Sequence, residues 1–113
     1  MAGCIFCDIV EGKIPGKLVH EDHLAIAIHD IAPKAPTHVL VLPREHLATL
    51  DDATGGHELL LGHLLLVAKE VAAKEGLGNG YRAVINVGAE GGQSVDRLHV
   101  HVIGGRPLSW PPG

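Results

Sequence analysis

The residues best suited to chemistry lie at Arg97-Leu98-His99-Val100-His101-Val102-Ile103. Apolar and polar residues alternate there with period two, the pattern of a half-buried strand. Alternate side chains of a strand share a face. Arg97, His99 and His101 are thus expected to point one way, and Leu98, Val100 and Val102 the other. Successive same-face positions are about 7 Å apart. Histidine is the side chain that is both nucleophilic and partly neutral near pH 7. The preceding stretch, Gly88-Ala89-Glu90-Gly91-Gly92-Gln93-Ser94, is rich in glycine. Such a loop lets main-chain N–H groups approach an anion. A phosphate cradle feeding a two-histidine strand points to nucleotidyl or phosphoryl transfer.

The elements that must position these groups follow from periodicity. Residues 4–11 read as a short helix ended by Gly12 and Pro15. Lys17 to Glu21 and Leu24 to His29 read as strands joined by a turn at Asp22-His23. Ile31 to Pro36 is a Pro-rich loop, and His38 to Leu42 a third strand between Pro36 and Pro43. Leu60, Leu64, Val67, Ala68 and Val71 then follow helical spacing within residues 55–75, with Gly76 as the stop. Leu59, Leu61, Leu65 and Leu66 lie off that stripe. A helix apolar around much of its circumference is normally buried, and in so short a chain a second copy is the natural cover. Tyr81 to Asn86 and Leu98 to Ile103 complete five strands. Strands, one long helix, then strands imply an α+β fold with a mostly antiparallel sheet.

Composition narrows the function. The chain has 113 residues, enough for one domain, and 46% are hydrophobic. Its net charge of −4 comes with no basic run, which argues against a nucleic-acid partner. No window is apolar enough to span a membrane. Met1 to Cys4 shows no secretory pattern, and two cysteines three residues apart suit a reducing cytoplasm.

The set Gly91-Gly92-Gln93-Ser94-Val95, His99-Val100-His101-Val102-Ile103-Gly104-Gly105-Arg106 and Trp110-Pro111-Pro112-Gly113 resembles the histidine triad family. Cys4 to Val10, Ile28 to Pro33 and Ala35 to Pro43 extend the resemblance over nearly the whole chain. Within the family the chain looks like the nucleotide-binding, phosphoramidate-hydrolysing branch. One position departs: the first triad histidine is Arg97 here. The resemblance implies a five-stranded sheet continued across a homodimer. It implies hydrolysis of a purine nucleoside 5′-phosphoramidate with no cofactor required. His99 would be the nucleophile, held by the main-chain carbonyl of residue 97, which survives the change to arginine. His101 would contact phosphate and assist proton transfer to the leaving amine, with His38 beside it. Ser94 and Gln93 would donate to the phosphate from the cradle at Gly92. Asn86 would contact phosphate or ribose, and Asp30 the ribose hydroxyls. Ile28, Ile31 and Leu40, with His29 nearby, would form the base slot. Trp110 lies on a tail that reaches toward the partner's site.

Two other enzymatic or binding outcomes stay open. One is hydrolysis of dinucleoside polyphosphates, which the Trp110 tail disfavours. The other is a nucleotide-binding module with little turnover, for which Arg97 is the support. Cys4 and Cys7 admit a redox dithiol, two plain thiols, or a zinc site. Some family members bind zinc through this pair, a residue matching His46, and the first triad histidine. Arginine cannot ligate, so Cys4, Cys7 and His46 lack a fourth side chain here. His57 and His63 are no substitute: six residues apart, they sit about 240° around a helix.

Overall fold

The computed structural model describes residues 9–10 and 17–113. The expected helix at residues 4–11 therefore lies largely outside the described residues. Five strands follow as β1 (Leu18–Glu21), β2 (Ala25–His29), β3 (Thr37–Pro43), β4 (Tyr81–Val84) and β5 (Val100–Gly104). Helix α1 (Glu58–Lys74) sits between β3 and β4. All pairings are antiparallel, in the order β1-β2-β3-β5-β4. Among the described residues no helix is long and apolar enough to cross a membrane.

Period-two alternation sorts the sheet into two faces. Ala25, Ala27, Val39, Val41, Val100 and Val102 point to one side, where α1 covers them. The helix answers with Leu64, Val67, Ala68, Val71 and Ala72, a stripe at i, i+3, i+4, i+7 and i+8. Ile26, Ile28, Leu40 and Leu42 occupy the other face, and Ile9 and Val10 pack on them. This second face also carries His38 and His101, since His101 pairs with Leu40 and His38 with Ile103.

Both ends of the helix have local causes. Thr54 Oγ1 accepts from the Gly56 N–H, and the Thr54 N–H donates to His57 Nδ1, so a 3-10 turn at Gly55–His57 is capped before it runs into α1. At the far end Gly76 takes a φ of 78°, and the Leu77 N–H returns to Ala72 O at 2.9 Å. Leu59, Leu65 and Leu66 remain 88%, 53% and 60% exposed.

The turn between β1 and β2 is built around one carboxylate. Asp22 Oδ1 accepts from the N–H groups of Leu24 and Ala25, both at 2.8 Å. Oδ2 accepts from His20 Nε2 at 2.7 Å and from His63 Nε2 of α1 at 2.8 Å. Burial alone would raise its pKa. The hydrogen bonds from His20, Leu24, His63 and Ala25 outweigh that and hold it well below the usual carboxylate range. A carboxyl depressed in the folded state adds stability above its unfolded pKa of about 3.9, lost as pH falls below it. Asp22→Ala should cost about 2 kcal/mol at pH 7, or roughly 10 °C in melting temperature. The difference from the unmodified chain should shrink between pH 4 and pH 2 in thermal melts.

Candidate active site

The second face of the sheet gathers three imidazoles. The ring of His101 on β5 lies 4.7 Å from that of His99, centre to centre, and 5.1 Å from that of His38 on β3. The period-two reading holds for His101, but β5 begins only at Val100. Residues 97–99 form a lead-in whose hydrogen bonds leave the ladder. The Arg97 N–H turns back to Val95 O at 2.8 Å, and the Leu98 N–H goes to Leu47 O at 2.6 Å.

That lead-in sets the state of His99. His99 Nδ1 lies 2.6 Å from Arg97 O. A carbonyl only accepts, so Nδ1 donates and the neutral ring keeps its lone pair on Nε2. His99 is buried, as is Arg97 at 1% exposure. The Arg97 side chain does not face solvent beside the histidines. Its Nη2 donates to Pro43 O at 2.6 Å and Arg44 O at 3.1 Å, at the end of β3. The guanidinium thus ties the lead-in to the strand that carries His38.

His38 is buried at the start of β3. Its Nε2 lies 2.9 Å from His101 Nδ1 and 3.5 Å from Asp30 Oδ2. Burial lowers the pKa of His38; Asp30 opposes this, while Lys34 and His99 add to it. His101 is pushed down to about 4 by burial, then by His99 and His38, against a raising effect of Asp30. Both rings are therefore neutral at pH 7. Asn86 Nδ2 stands 3.5 Å from His101 Nε2. Asp30 Oδ1 accepts from the Ala32 N–H at 2.8 Å, which leaves Oδ2 toward His38.

Other expected site residues are placed differently. Ile28 and Leu40 are both 4% exposed on the histidine face, whereas Ile31 is 95% exposed on the loop beyond β2. His29 is not brought to the cluster. Alternation turns it to the helix side, where Nε2 lies 3.8 Å from Glu75 Oε1. Gln93 also departs from its expected role as a phosphate donor. Its Nε2 donates to Ala48 O at 2.7 Å and Val95 O at 3.0 Å, and its Oε1 accepts from the Gly88 N–H. Both amide hydrogens are used in holding the loop. Gly92, at a φ of 82°, closes the turn with its N–H on Ala89 O. Gly91 is needed for space, since a Cβ there would run into the Val87 carbonyl. The Ser94 hydroxyl makes no hydrogen bond among the described residues, and it is exposed where the loop leads to residues 97–99. Trp110 is 79% exposed on the C-terminal tail, which Arg82 Nη2 holds through Ser109 O at 2.8 Å. His57 and His63 bond to Glu45 and Asp22, respectively, apart from one another as their spacing requires.

Sequence reasoning missed two groups that touch this site. The Lys34 main-chain N–H donates to His38 Nδ1 at 3.1 Å, and Arg106 Nη2 donates to Lys34 O at 3.2 Å. A main-chain donor leaves no mark in residue type, so only the lysine between prolines at Ala32-Pro33-Lys34-Ala35-Pro36 could have hinted at it.

This arrangement has clear relatives. An uncharacterized HIT-like protein of Synechococcus elongatus is 54% identical over 109 residues, 96% of each chain. A HIT family hydrolase from Legionella pneumophila Philadelphia 1 superposes with a TM-score of 0.95 at 46% identity, over 98% of this chain and 100% of its own. A histidine triad protein from Clostridium difficile does so at 0.92 and 36%, over 96% of each. The sequence profile of the HIT domain matches residues 11–108, a range that includes the sheet and the histidine cluster, and the chain belongs to the HIT domain family.

Proposed function

We propose that the chain hydrolyses purine nucleoside 5′-phosphoramidates through a nucleotidyl-His99 intermediate. The observation that carries this is the His99 Nδ1 to Arg97 O contact at 2.6 Å, which leaves Nε2 as a lone-pair nucleophile. His99 Nε2 attacks phosphorus and the P–N bond breaks with its electron pair on nitrogen. The nitrogen takes up one proton and departs as the amine. Water then attacks the same phosphorus, frees His99 and gives up a proton, leaving the nucleoside monophosphate. His101 offers a hydrogen-bond donor to the phosphoryl oxygens, and Ser94 a second. Asp30 Oδ2 would accept from the ribose hydroxyls, and Asn86 would contact phosphate or ribose. Ile28 and Leu40 border the base.

The likeness to a HIT family hydrolase supports hydrolysis; the leaving group is this reading's own commitment. The competing reading, a binding module silenced by Arg97, loses its main support, because the carbonyl that orients His99 does not depend on the side chain at 97. The test is release of a fluorescent amine from an adenosine 5′-phosphoramidate at pH 7, beside a dinucleoside polyphosphate. Turnover of the first and not the second is expected. Binding without turnover of either would overturn the reading.

No metal enters this scheme. Arg97, which is buried, occupies the sequence position of the fourth zinc ligand that the resemblance implies, and a guanidinium cannot ligate. Burial, and then the charge of Arg97, lowers the pKa of His46. A cation there would meet that same charge. Cys4 and Cys7 lie outside the described residues.

The reading includes a homodimer in a reducing cytoplasm. Leu59 and Leu66 are one heptad apart on α1 and both exposed, and β4 lies at one edge of the sheet with Tyr81 42% exposed. An exposed apolar helix face and an open strand edge are each surfaces that a second copy can cover. Sedimentation should give about twice the 11.9 kDa chain mass, and the double change Leu59→Asp, Leu66→Asp should give single chains. An unmodified chain that sediments at the single mass would refute the dimer.

A further inference from the structure

The Pro-rich loop between β2 and β3 touches the histidine cluster through one main-chain group. The Lys34 N–H donates to His38 Nδ1 at 3.1 Å. A main-chain N–H cannot accept, so Nδ1 must hold a lone pair, and neutral His38 carries its proton on Nε2. That proton faces His101 Nδ1 at 2.9 Å, much closer than Asp30 Oδ2 at 3.5 Å. His101 Nδ1 is thereby an acceptor in turn. Neutral His101 then has its one proton on Nε2, the nitrogen on the Asn86 side. The 3.5 Å Asn86 amide contact there is compatible with this when its oxygen, rather than its nitrogen, faces the ring.

We propose that the Lys34 main-chain amide is a tautomer lock, acting through His38 so that His101 presents an N–H, and not a lone pair, to the substrate phosphate. Lys34 is thus a positioning residue, and the proposal rests on the nucleotidyl-transfer reading above. The opposite tautomer would set two donors against each other, Lys34 N–H and His38 Nδ1–H. It would also leave His101 free to turn its Nε2 lone pair on the phosphoryl oxygens, which repel it.

The loop is fastened so that the lock holds. Arg106 follows β5, the strand of His101, and its Nη2 donates to Lys34 O at 3.2 Å. Lys34 Nζ folds back onto Ala32 O at 2.9 Å. The Asp30 N–H donates to His38 O at 2.9 Å, and Asp30 Oδ1 holds the Ala32 N–H. The charged and titratable groups facing the His38–His101 pair are Asp30, Lys34 and His99. Lys34 and His99 favour neutral rings, and Asp30 opposes them.

The same proton placement decides a second question. The ligand atoms of Asp30, His38 and His101 lie within 4.8 Å of one another, a spacing that a metal ion could use. Coordination would need a lone pair on His38 Nε2, and the lock puts the proton there. A histidine ligand normally donates from its other nitrogen, whereas His38 Nδ1 accepts. The three groups form a hydrogen-bond relay.

Lys34→Pro removes the N–H, and Lys34→Ala keeps it while deleting the ammonium. Nitrogen-15 NMR of the histidine rings in the unmodified chain at pH 7 should show His38 and His101 both unprotonated at Nδ1 and protonated at Nε2. Lys34→Ala keeps the N–H, so it should keep those tautomers and lose far less kcat than Lys34→Pro. Lys34→Pro should show mixed tautomers and lose at least about tenfold in kcat, with a smaller change in KM. Its acid limb of activity should move up toward the ordinary imidazole range, because His38 can then take a proton on Nδ1 without opposing a donor. A protonated His38 Nδ1 in the unmodified chain would overturn the lock, and that measurement needs no variant to fold. Equal tautomers and equal kcat in Lys34→Pro and Lys34→Ala would overturn it too. If the unmodified chain releases no amine, the function reading fails alone, and the ring nitrogens still decide the lock.

Discussion

His99→Ala is expected to lower amine release by about four orders of magnitude or more, or at least about 5 kcal/mol of transition-state stabilisation. The size follows from the loss of the nucleophile that, among the described residues, is the one suitably prepared. His99 Nδ1 donates to Arg97 O, so the lone pair of the neutral ring lies on Nε2. His101 cannot take over, because the relay from His38 puts a proton on the nitrogen it would need. His38 is buried with Nδ1 engaged by the Lys34 N–H. A substitution that merely loosened the sheet would reduce both binding and turnover. His99→Ala should instead retain affinity for the nucleoside monophosphate, since the groups proposed to hold ribose and base remain. Rapid acid-free quenching of the unmodified chain with labelled substrate should trap one nucleotide on His99 and none in the variant. Undiminished release by His99→Ala would remove the covalent mechanism. Equal, negligible release by both proteins would leave nucleotide binding as the function of this chain.

Most of the sheet was legible because its physics is local. The alternation around His99 and His101, the apolar run at His38 to Leu42 and the helical stripe from Leu60 to Val71 each state their period within a few residues. Boundaries were less legible where a hydrogen bond leaves the ladder. Leu98 continues the alternation, but its N–H goes to Leu47 O, so β5 starts two residues later. The candidate site divides the same way. That His99 and His101 share a face was readable from spacing. Their meeting with His38 depends on the β3–β5 register, a pairing across 63 residues that no local pattern carries. His29 is expected near the base slot of Ile28, Ile31 and Leu40, yet one residue of offset from Ile28 moves its side chain to the opposite face. Gln93 was judged by its chemistry, which the loop itself consumes. Residue type alone offers Arg97 as a charge whose partner the sequence does not name. Arg97 Nη2 reaches main-chain carbonyls, which have no signature in residue type.

That hidden role gives Arg97→Ala the largest expected effect on stability. Arg97 is among the largest fully buried side chains, at 1% exposure. Truncation would leave a large cavity and take the donor from Pro43 O and Arg44 O at the end of β3. Cavity formation alone costs about 2–5 kcal/mol, and an orphaned buried acceptor about 1–3 more. Relief from burying a charge works the other way. The net loss should be about 3 kcal/mol, or roughly 15 °C in melting temperature for a domain of this size. Arg97→Met separates the two contributions by filling the space without a donor. If Met restores most of the lost stability, packing dominates; if it behaves like Ala, the hydrogen bonds to β3 do. Turnover should respond differently from stability. The carbonyl of residue 97 stays with any substitution, so below its melting temperature Arg97→Ala should lose far less activity than His99→Ala. Arg97→His tests the charge itself. It removes the guanidinium that disfavours a cation near His46 and supplies an imidazole in its place, so metal analysis should find zinc in this variant and little in the unmodified chain. Stoichiometric zinc in the unmodified chain would show that the guanidinium does not exclude the ion, and would leave its ties from residues 97–99 to β3 as a structural role.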